Sequence, residues 1–525
     1  MHLPSPRVLI ATVLILALPA VAMAQQRGPQ GQGQQQAQGE RRGNEGDGDR
    51  QRQAETEARK LPADQTTRHS IEVGGRTLAF TATVGSIPLF DGEGGPLIAE
   101  IGFVAYRLDG TDAASRPVAF LVNGGPGAAS AFLNIGGLGP WRLPLDPVSP
   151  SAAPVVVPNA ETWLPFTDLV FIDPVGTGFS WTTLRGDEAR RRFWTVDSDV
   201  SGLAVAMRKW LDKESRRISP VVLVGESYGG FRVPKLARAL QNDQGVGVRG
   251  LVMVSPVLDF GWRFQNRHTP LHFVSELPSM AAAALDAAGK PPTREALAAV
   301  ERYAATEFLA DLMRGARDKD AVARMADRIS GFTGLDPALV RRLGGRVDPS
   351  VFVRERGRAT EKIGSLYDAT IEGYDPNPSA FLSRAEDPVL DGVDAPLTAA
   401  MTDLYKRLGW RLDRAYRLLN REVGGQWQWG GRRAAPEAVD DLRSAMALDP
   451  RLRAVVVHGA TDLVTPYFES QLIIDQLPTF GDPERLRLAV HPGGHMFYLR
   501  GDSRAAFRDD GERLVREVTG APALR

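Results

Sequence analysis

The chain of 525 residues contains no cysteine. That excludes a disulfide framework, a thiolate metal site and a cysteine nucleophile. An excess of either charge is also missing. Lysine plus arginine and aspartate plus glutamate stand at 63 each, so nothing electrostatic draws the chain to nucleic acid. No apolar run reaches the roughly 20 residues that a membrane-spanning helix needs, and stable membrane insertion is not expected. Histidine is scarce, seven in all, so each one can be weighed individually.

The first residues have their own character. Arg7 precedes an apolar run from Val8 to Val21 that ends in Ala22-Met23-Ala24. A positive start, a short apolar centre and a small-x-small exit make a secretory signal over 1–24, cleaved after Ala24. The alternative, a membrane anchor, needs a longer run. The periplasm or the cell exterior is the compartment this implies. Residues 25–60 are glutamine, glycine, arginine and glutamate with almost nothing apolar. Such a stretch buries too little to offset its ordering entropy, and a disordered solvated linker is expected.

Order is expected from about residue 65. Pieces such as Leu78-Ala79-Phe80 and Ile101-Gly102-Phe103-Val104, broken by Asp91-Gly92 and Gly94-Gly95, read as hairpins. Short unbroken apolar runs follow at Val118–Val122, Leu169–Ile172, Val221–Val224, Leu251–Val254 and Ala454–Val457. Runs of this length suit strands buried on both faces of a parallel sheet. Between 261 and 440 the pattern turns helical, with Leu297, Val300, Ala304, Phe308 and Leu312 at helical spacing and Asp336-Pro337 as a helix start. The expected architecture is α/β. A mostly parallel central sheet, with helices on both faces, comes from 65–260 and 441–525, and 261–440 forms a mostly helical insertion. Ligands of open α/β sheets bind beyond the carboxyl ends of the strands, so the segments after the runs are where chemistry is sought.

Gly225-Glu226-Ser227-Tyr228-Gly229 follows the run Val221–Val224 and precedes a helical stretch, Phe231 to Leu240. Glycines two residues either side of a serine allow a sharp strand-to-helix corner that exposes the hydroxyl. A serine needs a base. His2 and His69 lie in or beside the N-terminal segments, His268 and His272 begin the insertion, and His458 ends a buried strand. His491 and His495 remain, in His491-Pro492-Gly493-Gly494-His495. Their spacing suits a metal pair on a helix, but the proline and glycines argue against a helix. No metal or organic cofactor is expected. His495 is preferred as base because the preceding glycines permit close approach. Asp462, just past the run Ala454–Val457, is the best candidate for the acid that orients the imidazole, though not the only one. The order Ser227, Asp462, His495 is that of the α/β-hydrolases. Asn123-Gly124-Gly125-Pro126-Gly127 follows the run Val118–Val122, and the N–H groups of Gly125 and Tyr228 are candidates for an oxyanion hole. A phosphate-binding loop is the other reading of those glycines, but its lysine and threonine are missing.

Together these segments resemble the serine carboxypeptidase family. The resemblance rests on Asn123-Gly124-Gly125-Pro126-Gly127, on Asn159-Ala160-Glu161-Thr162-Trp163, and on Asp173-Pro174-Val175-Gly176-Thr177-Gly178-Phe179-Ser180. It continues through Gly225–Gly230, Val233-Pro234, Asp462 and Gly494-His495-Met496. It implies hydrolysis of the last peptide bond of a peptide through an acyl-serine, with Asn123, Gly124 and Glu226 holding the substrate's terminal carboxylate. A second family glutamate, which would share a proton with the one beside the nucleophile, falls at Gly137 in this sequence. Leu121 and Ala128 stand where the family has tryptophan and cysteine. The triad and oxyanion loop are thus matched in full and the carboxylate clamp only in part. An esterase or acyltransferase acting on a small ester stays open beside the peptidase reading, and a less acid pH optimum is expected than paired glutamates give.

Overall fold

The structure, a computed structural model, describes residues 59–145, 148–263, 268–380, 385–430 and 434–520. The expected signal segment, and the 25–60 linker up to residue 58, lie outside the described residues.

All five apolar runs are strands of one ten-stranded sheet. We number its nine longer strands in chain order: β1 Gln65–Val73, β2 Arg76–Phe90, β3 Leu97–Leu108, β4 Val118–Val122, β5 Asp168–Ile172, β6 Val221–Glu226, β7 Val248–Val254, β8 Arg453–Gly459 and β9 Leu486–His491. The short strand Trp181–Thr182 pairs with β3. The spatial order is β1-β2-β3-β5-β4-β6-β7-β8-β9. The first three strands form an antiparallel meander and β3 meets β5 antiparallel, whereas every pairing from β5 to β9 is parallel.

Alternate residues of the central strands enter two different cores. Val118, Phe120 and Val122 of β4, Val221 and Leu223 of β6, and Leu251 and Met253 of β7 face one core. Ala119 and Leu121, Val222 and Val224, and Val252 and Val254 face the other. A period of two with both faces apolar is why these strands read as unbroken runs. Helices α1 (Val196–Lys213) and α2 (Tyr228–Asp243) cover the first face through Leu203, Met207, Trp210, Phe231 and Leu236. The helices Leu390–Arg407 and Gly501–Thr519 cover the second through Leu397, Met401, Phe507 and Leu514.

The helices of 261–440 divide between two places. α3 (Leu271–Ala287) and the helices Arg294–Tyr303 and Lys319–Thr333 form a third core of their own, joined by Tyr467 and Phe468 of α4 (Tyr467–Ile474). The helix Leu390–Arg407 instead packs directly on the sheet. Tyr405 and Tyr416 reach Asp173, just past β5, with their hydroxyls 3.5 and 3.2 Å from Oδ2. Burial pushes the Asp173 carboxyl up to about 6. No helix among the described residues is long and apolar enough to cross a membrane.

Parallel strands point their carboxyl ends the same way, so β4, β6, β8 and β9 deliver the segments that follow them to one rim. The opposite end of the sheet is pinned by charge. Asp168, at the start of β5, accepts from Arg216 Nη1 at 2.7 Å and from Arg116 Nε at 2.7 Å. Arg216 is fully buried and also donates to Ser219 Oγ and to the Arg116 carbonyl. Removing Arg216 leaves Asp168 paired with Arg116 alone, so the cost is expected below the roughly 3–5 kcal/mol of a fully broken buried pair. Arg216→Met is therefore expected to lower stability by about 1–3 kcal/mol in denaturant unfolding. A loss of under about 1 kcal/mol would place the pair among ordinary surface bridges.

Candidate active site

Strand β6 ends at Glu226 and helix α2 begins at Tyr228, leaving Ser227 alone on the corner. Its backbone sits at φ 60° and ψ −123°, a region that side chains other than glycine rarely adopt. Such strain is the mark of a serine presented on a strand-to-helix elbow. The sharpness of the turn explains the flanking glycine, since a Cβ on Gly225 would lie 2.1 Å from the Gly229 carbonyl oxygen.

The loop after β4 presses against this corner. A Cβ on Gly124 would stand 2.5 Å from the Tyr228 nitrogen, so only glycine lets the two backbones approach. Neither the Gly125 nor the Tyr228 N–H is taken by an acceptor among the described residues. The loop is held by Asn123, whose Oδ1 accepts from the Leu133 N–H at 3.1 Å and whose Nδ2 donates to Glu226 Oε2 at 2.7 Å.

Asp462 is fully buried. Its Oδ1 accepts the backbone N–H groups of Val464 and Thr465 at 2.8 and 2.9 Å. Its Oδ2 accepts the Thr465 hydroxyl at 2.6 Å and meets His495 Nδ1 at 2.8 Å. A carboxylate only accepts, so His495 carries its proton on Nδ1 and leaves Nε2 with a free lone pair. Thr465 Oγ1, 3.0 Å from the same nitrogen, closes a three-membered arrangement. Burial works to raise Asp462, but the His495 charge and these hydrogen bonds outweigh it and hold the carboxyl below its ordinary value. Burial likewise opposes the charged imidazole, yet Asp462 and then Glu226 prevail, and His495 is raised.

The other histidines are occupied elsewhere. His491 pairs with Asp510, Nε2 to Oδ2 2.7 Å. His458 is buried against Ser470 Oγ at 2.8 Å, and burial pushes it down to about 3. Among the described residues no cluster of His, Asp and Glu is arranged to hold a metal ion.

One cavity of about 230 Å³ gathers the expected residues. Asn123, Gly124, Gly125, Glu226, Ser227, Tyr228 and His495 all line it, and Asp462 stands behind His495. Four residues on or beside this cavity were not singled out in the sequence. Thr465 follows Asp462 by three positions, a spacing at which a side chain closes a local turn, and that signal was available. Tyr367 sets its ring edge-on to His495, centroids 5.2 Å apart, while its carbonyl accepts the His495 N–H at 2.5 Å. Arg263 lines the cavity from the segment after β7. Tyr498 donates its hydroxyl to Glu226 Oε2 at 2.7 Å. None of these three belongs to a motif.

Tyr498 also explains Gly137. A Cβ at Gly137 would come within 2.9 Å of the Tyr498 ring, so the ring fills the space a side chain there would need. Glu226 therefore has a phenol and an amide as hydrogen-bond partners, and no second carboxyl. Burial raises Glu226, and the His495 charge and then these two donors only partly oppose it.

Comparison with known proteins fits this geometry. A family model described as serine carboxypeptidase matches residues 106–268. Serine carboxypeptidase-like 45 of Arabidopsis thaliana is 27% identical over 168 residues, covering 30% of this chain and 33% of that protein. The pheromone-processing carboxypeptidase of Aspergillus niger is 29% identical over 164 residues, 30% of this chain and 24% of that one. The chain thus spans about a third or less of the length of these curated relatives. Among solved structures, a prohormone-processing carboxypeptidase from Saccharomyces cerevisiae superposes with a TM-score of 0.53 at 15% identity, over 84% of this chain and 91% of that one. The fold is that of the α/β-hydrolases.

The electrostatics around the imidazole can be checked directly. Followed by NMR, His495 is expected to titrate above the ordinary value of about 6.5. Asp462→Ala removes the largest favourable charge and leaves the burial, so the same resonance is then expected below that value. An unchanged titration in the variant would contradict the pairing.

Proposed function

We propose that the protein is an exported serine-type carboxypeptidase that releases the C-terminal residue of a peptide through an acyl-enzyme on Ser227. The observation that carries this reading is the buried Asp462–His495 pair facing the same cavity as the strained Ser227 corner.

In this reading His495 Nε2 takes the hydroxyl proton as Ser227 Oγ attacks the scissile carbonyl carbon. The carbonyl π electrons move onto oxygen, and the N–H groups of Gly125 and Tyr228 receive that charge. One well-aimed donor of this kind lowers the barrier by about 3–4 kcal/mol. As the C–N bond breaks, the imidazolium returns its proton to the departing amine. Water then attacks the acyl-serine by the same route. Asp462 stays ionised throughout, as its four hydrogen bonds favour, and stabilises the imidazolium. Asn123, Gly124 and Glu226 line the cavity where the substrate's terminal carboxylate would dock, as the resemblance implies.

A second reading, an esterase or acyltransferase on the same scaffold, is favoured by one observation. The Tyr498 ring occupies the space over Gly137, so the clamp has one carboxyl rather than two. A blocked dipeptide with a free C-terminal carboxylate, its amide and a simple aryl ester separate the two. Strong preference for the free carboxylate supports the peptidase, while turnover of the ester alone supports the alternative. Ser227→Ala is expected to lower kcat by at least about 10⁴-fold on every substrate that is turned over. Activity equal to the parent's would end both readings.

The pH profile follows from the signs already given. The base must be neutral, and His495 is raised, so kcat/KM is expected to fall as pH drops through a value above about 6.5. Glu226→Gln removes a negative charge that favours the imidazolium, and its acid limb is expected at lower pH than the parent's. A parent plateau extending well below pH 5, or a limb in the variant that moves to higher pH, would contradict this assignment.

A further inference from the structure

Arg263 is the one arginine or lysine among the described residues that line the cavity of Ser227 and His495. It closes the short 3₁₀ turn Phe260–Trp262 beyond β7. Two carboxyl groups from other elements hold it. Glu469 of α4 lies 3.1 Å from Nη2 and Glu276 of α3 lies 3.8 Å from Nη1. Both are nearly sealed from solvent, at 4% and 1% side-chain exposure, whereas Arg263 keeps 16%.

Holding a charge is not the same as neutralising it. Burial pushes Glu469 up to about 7 and Glu276 well above its ordinary value. Near neutral pH the two carboxyls together carry less than two negative charges, so the guanidinium keeps a charge to offer. Its Nε has no hydrogen-bond partner among the described residues but is itself sealed from solvent, so what Arg263 offers the cavity it lines is its charge. The cavity walls also include Val257, Phe260 and Val464, which offer no acceptor from their side chains. A cation against such walls is stabilised when an anion joins it. The Arg263 charge is also felt at the His495 imidazole, and Glu226 acts on that ring with the opposite sign.

We infer that Arg263 binds a carboxylate of the substrate beside the reacting bond, so that the preferred substrates are anionic peptides. This rests on the carboxypeptidase reading above. The carboxylate has two sources, the free C-terminus of the departing residue or an acidic side chain on the acyl side.

The test compares the parent with Arg263→Gln and Arg263→Lys on four substrates. These are a blocked neutral dipeptide with a free C-terminus, its C-terminal amide, the same amide with glutamate on the acyl side, and a neutral aryl ester. Charge-assisted contacts of this kind are worth at least about tenfold in affinity. For R263Q, kcat/KM on a carboxylate-bearing substrate is expected to fall at least about tenfold further than on the aryl ester, mainly through KM, with partial recovery in R263K. A selective loss on the free-carboxylate dipeptide assigns the terminal carboxylate, and a selective loss on the glutamate amide assigns the side chain. Equal losses on all substrates would make Arg263 a structural ion-pair member and overturn the inference, as would no loss on any. A parent that turns over the aryl ester and none of the peptides overturns the carboxypeptidase reading, and this inference with it. A parent that prefers the free carboxylate while R263Q shows no selective loss leaves that reading standing and removes only the role of Arg263.

Discussion

Asp462 is a carboxylate with no solvent exposure, and the site is organised around that burial. A lone ion in such a place would cost several kcal/mol or give up its charge. Four donors remove the conflict: two backbone N–H groups from its own turn, the Thr465 hydroxyl and the His495 Nδ1–H. The turn from Asp462 to Thr465 is thereby fixed, and so is the imidazole plane. With Nδ1 committed as a donor, Nε2 is left as the basic nitrogen, and it belongs to a residue that lines the same cavity as Ser227.

The charges around that imidazole are graded by burial. Glu226, 3% exposed, sits one residue before Ser227 and favours a protonated His495, while Arg263 disfavours it. Glu226 is steadied by Asn123 and Tyr498, both neutral. A carboxyl in place of the phenol would have shared one proton with Glu226, as close carboxyl pairs do. With a phenol there, no second carboxyl raises Glu226 further, so its negative charge acts on His495 down to a lower pH than in such a pair. The ring that supplies this phenol also explains why residue 137 has no side chain.

The insertion contributes to the site in two ways that its helical spacing does not distinguish. Its first helices build a separate core that joins α4, and through it Glu276 and Glu469 are brought to Arg263. Its later part packs on the sheet, sending Tyr405 and Tyr416 to Asp173. Tyr367, from between them, meets His495 edge-on. A stripe of apolar residues every three or four positions says that a helix buries one face. It does not say against which neighbour.

What the sequence by itself determined were the local features. The buried parallel strands β4 to β8 were legible because both-face burial leaves an unbroken apolar run. The Ser227 corner and the Asn123–Gly127 loop were legible because close backbone approach admits only glycine at set positions. His495 was preferred to His491 for the glycines before it, and the structure pairs His491 with Asp510. Only the tertiary structure decided which distant side chains complete these features. Tyr498 meets Glu226 across 272 positions, and Arg263 meets Glu469 across more than two hundred. Neither contact has a period, a spacing or a turn to announce it. Contacts of this kind arise from the packing of separate elements, and packing is a property of the assembled volume rather than of any local stretch of chain.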